Sequence, residues 1–125
     1  MIVGIGVDIV QVKRMDPWLE KIKLLEKYFN NDELTCVLKK KKAAAQSLAA
    51  RFAAKEAFGK ALGTGLKDIS LKDILITNDE NGKPDIILIE TAKKAFEKSG
   101  AQNIFISLSH EKEYAAAMVV LEKPA

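Results

Sequence analysis

Cysteine occurs once in this chain, at Cys36, and histidine once, at His110. A single thiol cannot close a disulfide within the chain, so nothing ties it to an oxidising compartment. One histidine and one cysteine also fall short of a typical zinc ligand set, and neither HExxH nor CxxC is present. The same shortage argues against a Ser-His-Asp or Cys-His nucleophile pair, with His110 the only histidine that could enter one. Aromatic residues make up only 6%, and 20 Lys+Arg against 17 Asp+Glu leave a net charge of +3. That is too little stacking surface and too little positive charge for a general nucleic-acid binder. No apolar run approaches the ~20 residues that span a bilayer. Met1–Val10 is apolar but lacks a basic leader and a small-residue cleavage site, so it reads as a first strand. Arginine is nearly absent: Arg14 and Arg51 are the only two, the remaining cations being lysine. A guanidinium suits planar phosphate or carboxylate recognition, which makes these two the cations to watch.

What remains is a 125-residue chain that is 48% hydrophobic. This implies one soluble, cytoplasmic domain over residues 1–125, large enough to bury roughly two-thirds of its unfolded surface. No repeat, low-complexity segment or Pro/Ser-rich linker divides it. Ile2–Val10, apolar and β-branched, predicts a strand buried on both faces. Asp16-Pro17 predicts a helix start, Asp16 as N-cap and Pro17 in the first turn, with the helix running to about Tyr28. Asn30 followed by Glu33 resembles a capping arrangement and predicts a second helix, interrupted at the Lys39–Lys42 run. Ala43–Leu62 is the longest helical stretch and stops at Gly63-Thr64-Gly65. Residues 74–77 and 85–89 read as strands paired across Asn78–Gly82. A short helix over Thr91–Ser99 precedes two more strands, Ile104–Ser109 and Tyr114–Leu121. The order gives an α+β fold: a small antiparallel sheet packed with a long buried helix.

Asp8 stands in an otherwise apolar or glycine run, where a lone carboxylate costs several kcal/mol to desolvate. A place at the strand end, facing solvent, is the ordinary explanation; Gly4 and Gly6 beside it instead signal close approach of a ligand or another backbone. The Ala43–Leu62 helix is apolar nearly all round, hence buried, yet carries Arg51, Lys55, Glu56 and Lys60. Glu56 and Lys60 share a face at i, i+4, but an ordinary helix pair contributes only about 0.2–0.5 kcal/mol. That is too little to offset burial, so the pair faces a solvent-filled cleft or serves a ligand. Two carboxylates in apolar contexts with a lysine one turn on suit magnesium, which takes few protein ligands and completes its shell with water and phosphate. Gly63-Thr64-Gly65 is a plausible phosphate contact but not a P-loop. His110, at the end of a Ser-Leu-Ser-His strand, is either structural or a hydrogen-bond donor to phosphate.

The same residues carry a family resemblance. Gly4-Ile5-Gly6-Val7-Asp8-Ile9 with Arg14 resembles the opening motif of holo-(acyl-carrier-protein) synthases. The run Arg51-Phe52-Ala53-Ala54-Lys55-Glu56-Ala57-Phe58-Gly59-Lys60-Ala61-Leu62-Gly63-Thr64-Gly65 matches that family's central signature. Asn81-Gly82-Lys83-Pro84 and Ile106-Ser107-Leu108-Ser109-His110 are similar to its two later motifs, in the expected order. The resemblance implies the 4′-phosphopantetheinyl transferase fold and transfer of the 4′-phosphopantetheine arm of coenzyme A to a serine of apo-acyl carrier protein. Adenosine 3′,5′-bisphosphate is released, and the product serves fatty acid biosynthesis. By position, Asp8 and Glu56 would hold Mg2+ and Glu56 would help deprotonate the serine, directly or through a bound water. Lys60 would neutralise the diphosphate; Arg51, Lys60, Gly63, Thr64, Pro84 and His110 would bind coenzyme A; Arg14 would meet the acidic carrier. A homotrimer with sites between subunits is also implied, so that the 4–14 and 51–65 motifs of one site are allowed to come from neighbouring chains. Glu111 departs from the pattern by adding negative charge beside the phosphate site, unless it points into solvent. The Lys39–Lys42 run reads as a solvated face that can steer an acidic partner at low salt.

Two other classes fit the composition. A catalytically silent coenzyme A or nucleotide module would have no need of both Asp8 and Glu56. A trimeric scaffold using Arg14 and the lysines for protein contact alone would not bind coenzyme A.

Overall fold

The computed structural model describes all residues, Met1–Ala125. Three strands form the larger sheet: β1 (Ile2–Gln11), β4 (Asn103–His110) and β5 (Tyr114–Glu122). They lie in the order β1-β5-β4, antiparallel throughout. A separate two-stranded sheet pairs β2 (Ile74–Asn78) with β3 (Pro84–Leu88). The helices are α1 (Ile22–Tyr28), α2 (Asn31–Leu38), α3 (Ala44–Leu62) and α4 (Glu90–Ser99). The α+β architecture with a long buried helix is therefore as the sequence implies. Of the 19 residues of α3, 14 are buried, and they form the middle of a core that runs from Val10 to Leu121.

The glycines of β1 explain how α3 reaches the sheet. A Cβ on Gly4 would fall onto the carbonyl oxygen of Ala61, and one on Gly6 onto that of Ala57. The close approach those glycines signal is thus to the helix backbone, matched on α3 by alanine at 57 and 61. The helix ends where Gly63 takes a left-handed φ of +83° and its N–H reaches the Lys60 carbonyl.

Two expectations are corrected. β1 is not buried on both faces: Gly6 and Val10 face inward, while Ile5, Val7 and Ile9 are 57–65% exposed. Helix α3 covers the inner face of this sheet, with β3 against β4, and the outward face of the apolar run has no layer over it within the chain. The helix expected from Pro17 to Tyr28 is broken. Short 3-10 turns at Val12–Met15 and Pro17–Glu20 come first, and Lys21 leaves helical geometry at φ −121°, ψ 77° before α1 begins. Asp16 is itself helical in φ and ψ and its side chain caps nothing. The reason is tertiary. Trp18 stacks on Tyr28 at 5.6 Å and meets Phe52 edge-on at 5.4 Å. In one continuous helix, ten residues at about 1.5 Å rise would hold Trp18 and Tyr28 about 15 Å apart.

The remaining elements fall within a residue or so of their expected limits. The Asn30–Glu33 capping box is present in full, and Gly100 closes α4 at φ +85°. The Lys39–Lys42 run links α2 to α3, and all four lysines are exposed. No helix is long and apolar enough to cross a membrane.

Candidate functional site

The strand β1 delivers Asp8 in mid-strand, opposite Ala117, rather than at the strand end. Its carboxylate is 18% exposed and accepts a hydrogen bond from the Lys60 ammonium at 3.0 Å. Lys60 also donates to the Val7 carbonyl at 3.1 Å. Its side chain is 55% exposed, so this ion pair sits in an open cleft edge. Lys60 pairs with Asp8 and not with Glu56: it reaches across to β1, because the glycine approach brings that strand within one side-chain length of α3.

Glu56 is partly buried, one helical turn before Lys60. Burial, and next the Asp8 carboxylate, push its carboxyl above the ordinary range, while Lys60 and Arg14 pull it back. Four charged residues from β1, the turn after it and α3 therefore share one field. Arg14 lies exposed on its 3-10 turn with the guanidinium over the Phe52 ring at 5.4 Å. Asp8 and Glu56 thus meet within one chain, and the 4–14 and 51–65 motifs do not need two subunits to come together. No cluster of three His, Cys, Asp or Glu is formed. Two mutually repelling carboxylates beside open solvent match a divalent cation that keeps most of its shell for water and phosphate, and do not match zinc.

A second group of site candidates lies further back along α3. Arg51 is only 3% exposed, unusually low for an arginine. Its guanidinium donates to Ser47 Oγ, to Asn78 Oδ1 at 3.3 Å and to Cys36 Sγ at 3.6 Å. Its Nε is buried without a partner. An orphaned buried donor costs about 1–3 kcal/mol, so an acceptor supplied from outside would be favoured there. Arg51, Asn78 and His110 line a cavity of about 90 Å3 together with Lys40 and Gln46. His110 ends β4 and is exposed. Pro84 pairs with Asn78 across the small sheet and so flanks this cavity without lining it. Glu111 does not face it: its carboxylate accepts from the backbone N–H of Glu113 at 2.9 Å and of Tyr114 at 2.6 Å, closing the β4–β5 turn.

The two groups are not merged. From Arg51 to Lys60 is nine residues, about 14 Å along the helix axis at 1.5 Å per residue. Gly63 and Thr64 lie beyond Lys60, and Thr64 opens onto a larger groove of about 620 Å3 between the end of α3 and α4. Asn78 and Cys36 were not foreseeable as partners of Arg51, since their meeting depends on how the small sheet and α2 pack; Ser47, one turn before Arg51 on α3, is the partner that i, i+4 spacing offers. Lys55 gave a signal, as a lysine in a helix apolar on all sides. It is fully buried and paired with Glu33 at 2.6 Å. Burial lowers its pKa to about 8, against the opposing pull of Glu33.

Known proteins share this sequence and fold. Residues 4–119 match the family model described as the 4′-phosphopantetheinyl transferase superfamily. The holo-(acyl-carrier-protein) synthase of Treponema denticola is 56% identical over 122 residues, covering 98% of this chain and 99% of the relative. The crystal structure of a holo-(acyl-carrier-protein) synthase from Bacillus anthracis, in complex with CoA (3′,5′-ADP), superposes with a TM-score of 0.82 at 38% identity. It covers 99% of both chains. The Helicobacter pylori holo-(acyl-carrier-protein) synthase in complex with coenzyme A gives a TM-score of 0.80 at 33% identity, covering 94% of this chain and 99% of that one.

Proposed function

The chain belongs to the 4′-phosphopantetheinyl transferase superfamily, among its holo-(acyl-carrier-protein) synthases, and from that premise we propose the reaction it performs. It transfers the 4′-phosphopantetheine group of coenzyme A to a serine of apo-acyl carrier protein and releases adenosine 3′,5′-bisphosphate, in the cytoplasm and for fatty acid biosynthesis. The observation that carries this reading is the convergence of Asp8, Glu56 and Lys60 at the open edge of α3.

The serine oxygen forms a bond to the β-phosphorus of coenzyme A as the bond from that phosphorus to the bridging oxygen breaks. The electron pair leaves with adenosine 3′,5′-bisphosphate, and the serine proton goes to Glu56. General-base catalysis by a positioned carboxylate contributes about 10²–10⁴ in rate. Phosphoryl transfer asks mainly for positioning and charge neutralisation. Lys60, exposed and anchored to β1, supplies a fixed ammonium for the diphosphate. Asp8 and Glu56 would hold Mg2+, which when bound adds charge neutralisation on that diphosphate. Arg51, with its unused Nε, and His110 bind the far end of the donor beside Pro84, while Gly63 and Thr64 border the near end. Arg14 faces the acidic carrier.

A homotrimer follows from the same reading. The uncovered sheet face aligns Ile5 with Val120 and Phe105, and Val7 with Met118. Phe105 is 54% and Met118 46% exposed. An apolar face of this kind favours cover by further copies of the chain, giving the buried environment that the β1 sequence calls for. The roughly 14 Å between the Arg51 and Lys60 groups then lets one donor lie between subunits. Sedimentation equilibrium at three times the chain mass supports this, and a monomer at micromolar concentration contradicts it. For the reaction, the chain is incubated with coenzyme A and apo-carrier protein, with magnesium withheld and then restored, and the carrier is weighed. A phosphopantetheine mass gain appearing only with magnesium supports the proposal; no gain with a competent carrier and a working control enzyme refutes it.

A further inference from the structure

The small β2–β3 sheet shares no strand ladder with the larger one, so backbone pairing does not set its position against α3. Apolar packing of Ile74 and Ile76 holds it close but is non-directional, and by itself tolerates sliding. Apart from the Arg51–Asn78 hydrogen bond, the directional contacts come from one buried ion pair. Lys55 Nζ has three N–H groups and three acceptors: Glu33 Oε1 at 2.6 Å, the Leu71 carbonyl at 2.8 Å and the Ile74 carbonyl at 2.6 Å. The Phe29 ring covers it at 4.8 Å. Glu33 is equally occupied. Its Oε1 also accepts from the Asn30 N–H at 3.0 Å, and its Oε2 from the Ile76 N–H at 3.1 Å.

The spacing of these contacts matches on both sides. Arg51 and Lys55 are one turn apart on α3 and share a face. Ile74, Ile76 and Asn78 alternate onto one face of β2. Lys55, with Glu33, holds β2 at Ile74 and Ile76, and the next residue in that row, Asn78, meets the Arg51 guanidinium at 3.3 Å. A slip by one residue would turn Asn78 to the opposite face.

We infer that Glu33 and Lys55 are positioning residues for coenzyme A binding: they register the β2–β3 hairpin on α3 so that Asn78 and Arg51 form one wall of the donor cavity. This rests on the donor role given to Arg51 and His110 above. Neither Glu33 nor Lys55 touches the reacting atoms. A pair that is costly to desolvate is retained here for register rather than for stability, since a buried ion pair can be replaced by neutral groups at little cost in stability.

The test is the double variant Glu33→Gln/Lys55→Met, which leaves no charge buried alone. Steady-state transfer and calorimetric titration with coenzyme A are run beside the wild-type chain. The expected result is a KM and a dissociation constant for coenzyme A raised about tenfold, with kcat within threefold of wild type. A general loss of structure would instead lower the active fraction and hence kcat. An unchanged KM, or a fall in kcat alone, overturns the inference. Native-state hydrogen exchange on the wild-type chain is independent of whether the variant folds. The Ile76 amide should open only with the central α3 amides, and exchange well ahead of them overturns the inference. If the wild-type chain itself neither binds coenzyme A nor transfers its arm, the functional reading fails instead.

Discussion

Helix α3 carries two lysines five residues apart that live in opposite worlds. Lys55 is fully buried and every N–H it has is taken by an acceptor of this chain. Lys60 is more than half exposed, and its ammonium donates only to Val7 and Asp8, leaving one N–H without an acceptor of this chain. The neighbouring acids divide in the same way: Glu33 is closed off by three donors, whereas Glu56 is left partly open beside another carboxylate. The saturated side holds the architecture, and the unsaturated side is free to meet a ligand. Hydrogen-bonding capacity left unused at a partly solvated edge, more than charge itself, sets apart the region proposed to be reactive.

The largest effect that would break this contrast is on stability. Lys55→Met alone leaves Glu33 charged and buried without its cation, and should lower unfolding free energy by about 3–5 kcal/mol. Urea denaturation measures it; a loss below 1 kcal/mol would mean that the pair is not closed as described. Lys60→Ala should do the reverse. As an exposed ion pair it costs at most about 1 kcal/mol of stability. Its transfer rate should nevertheless fall by at least tenfold in the carrier mass-shift assay, and a wild-type rate would remove Lys60 from the chemistry. A smaller effect sharpens the electrostatics. In magnesium-free protein, carbon NMR of the Glu56 carboxyl should titrate above 4.5, since burial and Asp8 raise it. In Asp8→Asn the midpoint should move down, because the repulsion disfavouring the charged form is gone. An unchanged midpoint would separate the two carboxylates.

Much of this division was legible in the residues. Gly4 and Gly6 announced a close approach, and the all-round apolar character of Ala43–Leu62 announced burial; both describe the β1–α3 contact that sets Asp8 beside Lys60. Capping and turn chemistry located α2, both hairpins and the ends of α3 and α4, because those signals act within a few residues. What could not be read depends on partners far apart in the chain. Lys55 finds Glu33 across 22 residues, and Arg51 finds Asn78 across 27. The break at Lys21 has the same origin: Asp16-Pro17 is a sound helix start locally, but stacking of Trp18 on Tyr28 and against Phe52 decides the outcome. The exposed face of β1 has a related cause: an apolar run gives both faces of a strand the same character and does not say which of them the chain itself covers.

The claim that chemistry belongs to the open edge is tested most directly by Glu56→Gln, with carrier mass gain and urea midpoint measured on the same preparation. Transfer should fall by at least about a hundredfold, as expected for loss of a general base, while the midpoint stays at the wild-type value. Transfer near the wild-type rate in a folded Glu56→Gln chain would contradict the account.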